Sequence, residues 1–114
     1  MHQLVNQLID NLNASNAIKP LINKESFILL VKCEEEQHYI QLKNFQFHLI
    51  EPEDCKPDIV LEGEEKGLQA ILLGKILLRE SKKRQDVFIT SNFRKALMLE
   101  SLFYLGNVHY LCAE

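Results

Sequence analysis

The spacing of apolar residues near the start of the chain is helical. Residues 2–13 place apolar side chains three and four positions apart, so they share one helix face opposite Asn, Gln and Asp. These side chains belong to Leu4, Val5, Leu8, Ile9 and Leu12. The pattern predicts a helix over residues 2–13 that lies on a sheet.

Residues 26–51 change to the period of two that is typical of β-strands. Apolar side chains on both faces of residues 26–34 predict a central strand, and alternation predicts two more strands over 37–43 and 45–51. The alternation changes phase after Lys43 and Asn44, which indicates either a tight turn there or a β-bulge in one longer strand. The acidic run 34–36 is interpreted as a solvated hairpin turn.

The second half of the chain alternates strands with helices. It predicts strands at 58–62 and 86–90 and helices at 64–78 and 92–105. Gly74 is expected to cap or bend the first of these helices, and Gly106 to end the second. The tail 107–114 is expected to add a strand-like or packing segment.

Both of these helices have apolar residues around most of their circumference. Such a helix has no natural solvent face and must be covered on two sides. The cover could be protein, a second chain or a bound apolar ligand, and the pattern leaves these alternatives open.

Composition narrows the class of protein. A chain of 114 residues is expected to form a single domain over 1–114, and a net charge of −3 argues against nucleic acid as a partner. Three cysteines without paired spacing favour a reducing cytoplasm, and no apolar run is long enough for a membrane span. The basic residues between Arg79 and Arg84 are interpreted as a solvated loop, with an anionic headgroup contact as the alternative.

The motifs of common active sites are missing from the sequence. It has no zinc-ligand spacing, no nucleophile elbow, no glycine-rich phosphate loop and no nucleotide fingerprint. We therefore expect no catalytic residue, no metal site and no cofactor.

Four segments carry a family resemblance. They are residues 57–61 (PDIVL), 68–74 (LQAILLG), 87–90 (VFIT) and 97–105 (LMLESLFYL). Together they resemble the sterol carrier protein 2-like domain family. The shared features are an acidic residue before an apolar strand, a leucine-rich helix that ends in Gly, and a strand followed by a closing helix.

The resemblance implies a fold and a function. The fold would be an α+β two-layer sandwich of about five mostly antiparallel strands, with helices on one face and an apolar tunnel between the layers. The function would be non-catalytic binding or transfer of fatty acyl or sterol-like lipids. The implied tunnel residues are Leu72, Ile76, Phe93, Leu97 and Phe103.

A second hypothesis needs no lipid. In a dimeric interaction or regulatory protein, the surplus apolar faces of the two late helices would be buried against another copy of the chain or a partner protein. A homodimer is therefore the alternative to a bound apolar molecule.

Overall fold

The described residues form a mixed sheet and a layer of helices. The computed structural model describes residues 2–34, 36–51, 56–75, 80 and 87–112. The elements in chain order are α1 (His2–Ala14), α2 (Lys19–Ile22), β1 (Phe27–Cys33), β2 (Glu36–Lys43), β3 (Gln46–Ile50), β4 (Ile59–Gly63), α3 (Glu65–Leu72), β5 (Val87–Thr90) and α4 (Phe93–Cys112).

The five strands form one sheet in the order β3-β2-β1-β4-β5. The central strand β1 runs antiparallel to β2 and parallel to β4, and the other two neighbouring pairs are antiparallel. The predicted fold class, an α+β sandwich with mostly antiparallel strands and helices on one face, is therefore confirmed.

Alternate residues of the strands supply one half of the hydrophobic core, and the helices supply the other half. On β1 the core residues are Phe27, Leu29, Val31 and Cys33, all at most 5% exposed. Helix α1 contributes the residues that its amphipathic pattern predicts: Val5, Leu8, Ile9 and Leu12. The core therefore lies between a single sheet face and the helical layer.

The opposite sheet face also carries an apolar residue at its centre. Leu30 is only 6% exposed although it is separate from the main core cluster. Its direct neighbours across the sheet are Tyr39 on β2 and Val60 on β4. Flanking side chains can shield a central position from water, which explains why apolar residues occupy both faces of β1.

The connection between β2 and β3 shows which of the two predicted features, a tight turn or a β-bulge, causes the change of phase after Lys43 and Asn44. Lys43 pairs with Gln46, so Asn44 and Phe45 form a two-residue loop, and a β-bulge is excluded there. Both loop residues have positive φ, 53° and 65°. Phe45, which the alternation placed in the strand 45–51, belongs to the turn instead.

Gly74 and Gly106 have different structural roles. Gly74 follows α3 with a φ of +73°, and its N–H donates to the Ile71 carbonyl at 3.0 Å, as expected of a helix cap. Gly106 does not end a helix, because α4 continues to Cys112. A Cβ at position 106 would lie 2.5 Å from Leu12 Cδ2, so this glycine permits close packing of α4 on α1.

Two further expectations are corrected. The tail forms the last turns of α4 up to Cys112, not a strand-like segment. The helix expected over 64–78 is α3, Glu65–Leu72 in the structure, and residues 76–78 lie outside the described part of the chain. The short helix α2, with Pro20 in its first turn, lies in a segment for which no element was predicted.

Candidate functional site

Two of the five predicted ligand-contacting residues lie together in the buried cluster between sheet and helices. Leu72, in the last turn of α3, is 0% exposed, and Phe103 on α4 is 2% exposed. Leu72 is buried there because α3 places Leu68, Ile71 and Leu72 on its inner face. These two residues therefore form part of the apolar interior.

Gly74 brings the end of α3 against the backbone of α4. A Cβ at Gly74 would lie 2.9 Å from the Phe103 carbonyl oxygen and 3.4 Å from Tyr104 Cα. Such an approach is possible only without a side chain, and the positive φ also favours glycine. The α3 cap therefore lies directly beside the helix segment that carries Phe103.

Leu97 lies on a different side of α4 from Phe103. At about 100° per residue, the six steps between them leave the two side chains about 120° apart around the helix. Leu97 is half-buried, whereas Phe103 is buried. Leu97 thus belongs to a flank of α4 and not to the face directed at the fully packed core.

The structure does not locate the other two predicted residues. Ile76 and the Phe93 side chain lie outside its described part, as do the basic residues Arg79, Lys82, Lys83 and Arg84. Whether the five residues line one cavity stays a prediction.

A group of half-buried apolar residues lies against the packed core. Its members pack against the core cluster but keep part of their surface accessible, and they are Leu4, Ile89, Met98 and Leu105. Only Leu4 was predicted from the sequence, as part of the apolar stripe of α1. The apolar surplus of α4 was the available signal, because Met98 and Leu105 lie outside the stripe formed by Leu99, Leu102 and Phe103.

Asp58 joins three elements at one end of the sheet. Its carboxylate accepts a hydrogen bond from the Ile28 N–H at 2.9 Å, and its own N–H donates to the Ile28 carbonyl at 2.8 Å. The second carboxylate oxygen lies 3.3 Å from Lys95 Nζ near the start of α4. These bonds give the acidic residue that leads the apolar strand a structural role.

The surroundings of Cys33 disfavour the thiolate form that a nucleophilic cysteine needs. This thiol is free and 5% exposed. Burial raises the pKa of Cys33, and the carboxylates of Glu34, Glu65 and Glu36 raise it further. The thiol is therefore protonated at neutral pH, unlike a reactive thiolate.

Within the part of the chain that the structure describes, no group of three or more His, Cys, Asp or Glu side chains could hold a metal ion. Across the same residues, no helix combines the length and hydropathy of a membrane span.

Comparison with solved structures identifies the fold as that of sterol carrier protein 2 domains. A UbiJ-SCP2 ubiquinone synthesis protein matches with a TM-score of 0.73 at 12% identity, over 89% of this chain and 90% of the other. Sterol carrier protein domain 2 of Helicoverpa armigera matches with a TM-score of 0.64 at 16% identity, over 92% and 89%. Palmitated SCP2L2 from Aedes aegypti matches with a TM-score of 0.57 at 13% identity, over 91% and 94%.

Sequence comparison adds no relative. No protein-family model matches the chain, and no curated protein sequence matches it significantly. The likeness is therefore one of fold, carried by strand order and packing at low sequence identity.

Proposed function

We propose that this protein binds an apolar small molecule, a fatty acyl chain or a sterol-like lipid, between its helices and its sheet. The proposal includes transfer of the ligand without chemical change. The observation that carries it is the apolar surplus of α4, which buries Leu102 and Phe103 in the core and keeps Leu97 half-buried on another flank. A bound lipid would cover that flank.

The similar solved structures support this class of ligand. One is a sterol carrier protein domain, and another is palmitated, so proteins with this fold are associated with sterols and with a fatty acyl chain. The site proposed here is lined by Leu72, Ile76, Phe93, Leu97 and Phe103. Leu72 and Phe103 would form its inner wall, and Leu97 its outer wall.

The non-catalytic part of the proposal rests on the chemistry of the described residues. The buried thiol of Cys33 has a raised pKa, and the Asp58 carboxylate is engaged by Ile28 and Lys95. Neither group is arranged as a nucleophile with an adjacent base. A cytoplasmic location is also proposed, because it would keep the thiol of Cys33 reduced.

The direct test is to look for the ligand itself. The full chain is purified without detergent and analysed by native mass spectrometry and by extraction into organic solvent. We expect a bound lipid, and we expect the emptied protein to bind a fluorescent fatty acid that unlabelled palmitate displaces. A protein that carries no lipid and also fails to bind the probe would contradict the proposal.

A pair of leucine variants locates the site. Leu97→Asp places a charge on the proposed outer wall without altering the fully buried core, and we expect it to weaken probe binding by about tenfold or more. Leu49→Asp is the matched control, because Leu49 is 38% exposed on the edge strand β3. If both variants are folded by circular dichroism and lose probe binding equally, the site on α4 is rejected.

A further inference from the structure

The β2–β3 turn contains a phenylalanine that neither its backbone nor burial explains. Phe45 has a φ of 65°, in the left-handed region where glycine is preferred and bulky residues are strained. Its side chain is 51% exposed. A large apolar residue is thus held in a strained conformation and presented to the solvent.

Strand register places other exposed residues beside this turn. Leu42, near the end of β2, pairs with Phe27 at the start of β1, so the residues that precede β1 lie at the same end of the sheet as Phe45. They include the short helix α2, which is anchored by the buried Ile22 and exposes Leu21 by 36%. We call this surface the hairpin end; it comprises residues 19–26, 43–46, 56–58 and 91–95.

The hairpin end is basic. It contains six basic and two acidic residues, a local net charge of +4, although the whole chain has a net charge of −3. The two acidic residues are already paired: Glu25 lies 3.0 Å from Arg94 and Asp58 lies 3.3 Å from Lys95. The remaining basic residues, which make no ion pair in the described structure, are Lys19, Lys24, Lys43 and Lys56.

The other end of the sheet is acidic. Its described residues 32–34, 36 and 62–66 contain five acidic and two basic side chains, a local net charge of −3. Three of these carboxylates, those of Glu34, Glu36 and Glu65, are close enough to raise the pKa of Cys33 at the end of β1. Among the described residues, charge is therefore polarised along the strands.

We propose that the hairpin end docks on an anionic lipid bilayer. Phe45 and Leu21 enter the interfacial region, and the four lysines lie over the negatively charged headgroups. Surfaces of this kind bind membranes through apolar side chains at the interface together with lysines attracted to anionic lipid. The acidic end then points away from the bilayer, so the two ends of the protein set its orientation.

This inference rests on the proposed function only in that a lipid-binding protein exchanges its ligand with a membrane. The exposure of Phe45, the strain of its backbone and the basic charge of the hairpin end support the docking surface whether or not the protein binds a ligand. The test of docking therefore uses vesicles, and the test of ligand binding uses a probe in solution, so each can fail without the other.

The contribution of the lysines to docking is tested by flotation of the full chain with vesicles. We expect binding to vesicles of phosphatidylcholine with about 30% phosphatidylserine, weak binding to pure phosphatidylcholine, and loss of binding as salt is raised. A lysine near an anionic surface changes affinity about fivefold, so Lys43→Glu should lower it by about 25-fold. Lys66→Glu, at the acidic end, is the matched control and should leave binding nearly unchanged.

Phe45 is tested with a substitution that suits its backbone. Phe45→Gly removes the apolar side chain and relieves the positive φ, so we expect vesicle affinity to fall by about tenfold while the urea midpoint of unfolding rises. Phe88→Thr is the control, because Phe88 is 67% exposed on β5 and pairs with Glu62 towards the acidic end. This control should bind vesicles as wild type does.

Three outcomes would overturn the proposal. They are equal binding to charged and neutral vesicles, equal loss of binding in Phe45→Gly and Phe88→Thr, and light scattering in which wild type is a dimer and Phe45→Gly a monomer. The last result would assign the surface to a second copy of the chain. The fluorescent fatty acid is measured on the same samples, and its binding should be unaffected by Lys43→Glu and Phe45→Gly.

Discussion

The side-chain amide of Asn13 pairs with the backbone of Phe47 as a neighbouring strand would. The Phe47 N–H donates to Asn13 Oδ1 at 2.8 Å, and Asn13 Nδ2 donates to the Phe47 carbonyl at 3.1 Å. Phe47 lies in β3, an edge strand of the sheet. The end of α1 thereby occupies part of an edge that could otherwise pair with another chain.

Replacing Asn13 by Ala should expose this edge. The two backbone groups of Phe47 lose their partners, and we expect the free energy of unfolding to fall by about 1–3 kcal/mol. Urea denaturation measures the change. Asn16→Ala is the control, because Asn16 is exposed in the loop after α1 and its replacement should cost at most about 0.5 kcal/mol.

The same variant should also associate more readily. Light scattering at increasing concentration would detect the pairing of exposed β3 edges, which Asn16→Ala should not promote. If Asn13→Ala proved as stable and as monodisperse as Asn16→Ala, the interaction with Phe47 would not contribute to either property.

Two glycines in and after α3 should respond to alanine in opposite directions. Gly74→Ala places a Cβ 2.9 Å from the Phe103 carbonyl oxygen at a φ of +73°, and we expect a loss of about 1–3 kcal/mol. Gly67→Ala, within the helix, should stabilise the protein by up to about 1 kcal/mol. Thermal and urea unfolding of both variants distinguish local strain from a general effect of adding a methyl group.

If Gly74→Ala were neutral, the end of α3 could move away from α4, and the close contact near Phe103 would not constrain the core.

The thiol of Cys33 should make stability depend on pH in the alkaline range. Burial and three nearby carboxylates raise the pKa of Cys33 in the folded state above its ordinary value of 9.0. Below about pH 8 the thiol is almost fully protonated in both states and contributes little pH dependence. As the pH rises further, the unfolded thiol loses its proton first, so the free energy of unfolding decreases.

Comparison with Cys33→Ala isolates this contribution, because lysine and tyrosine side chains also titrate at high pH. We expect wild type to lose more stability than Cys33→Ala between about pH 8 and pH 10.5. Parallel curves for the two proteins would show that ionisation of Cys33 is not linked to folding.

Thiol alkylation provides a second measurement of the same property. In a variant with Cys55 and Cys112 replaced by Ser, the Cys33 thiol should react slowly with a maleimide when folded and rapidly in urea. Fast reaction of the folded protein would contradict the burial of Cys33.

Local patterns predicted the elements that depend on neighbouring residues. The amphipathic repeat in residues 2–13 corresponds to α1, and the β-type alternation corresponds to β1 and β2. The cap at Gly74 was also foreseeable, because a helix followed by a left-handed residue favours glycine wherever it occurs. These features depend on periodicity and backbone sterics within a few residues.

The candidate site was only partly predictable. Wide apolar arcs on the late helices indicated that something beyond one sheet face must cover them, but not which side chains share a face of the site. Phe103 lies in the packed core and Leu97 on a half-buried flank, a difference that depends on how α4 is rotated against its neighbours. Rotation is determined by packing between helices, which single-sequence periodicity does not report.

By itself, the sequence determined most of the strands and helices and that their apolar surface is unusually large, because both follow from local spacing and composition. Only the tertiary structure decided that β4 joins β1 in parallel, that Gly106 is a contact with Leu12 and not a helix end, and that lysines distant in sequence lie at the same end of the sheet as Phe45. These features join residues far apart in the chain. They follow from the way in which the sheet and helices bury their apolar faces together.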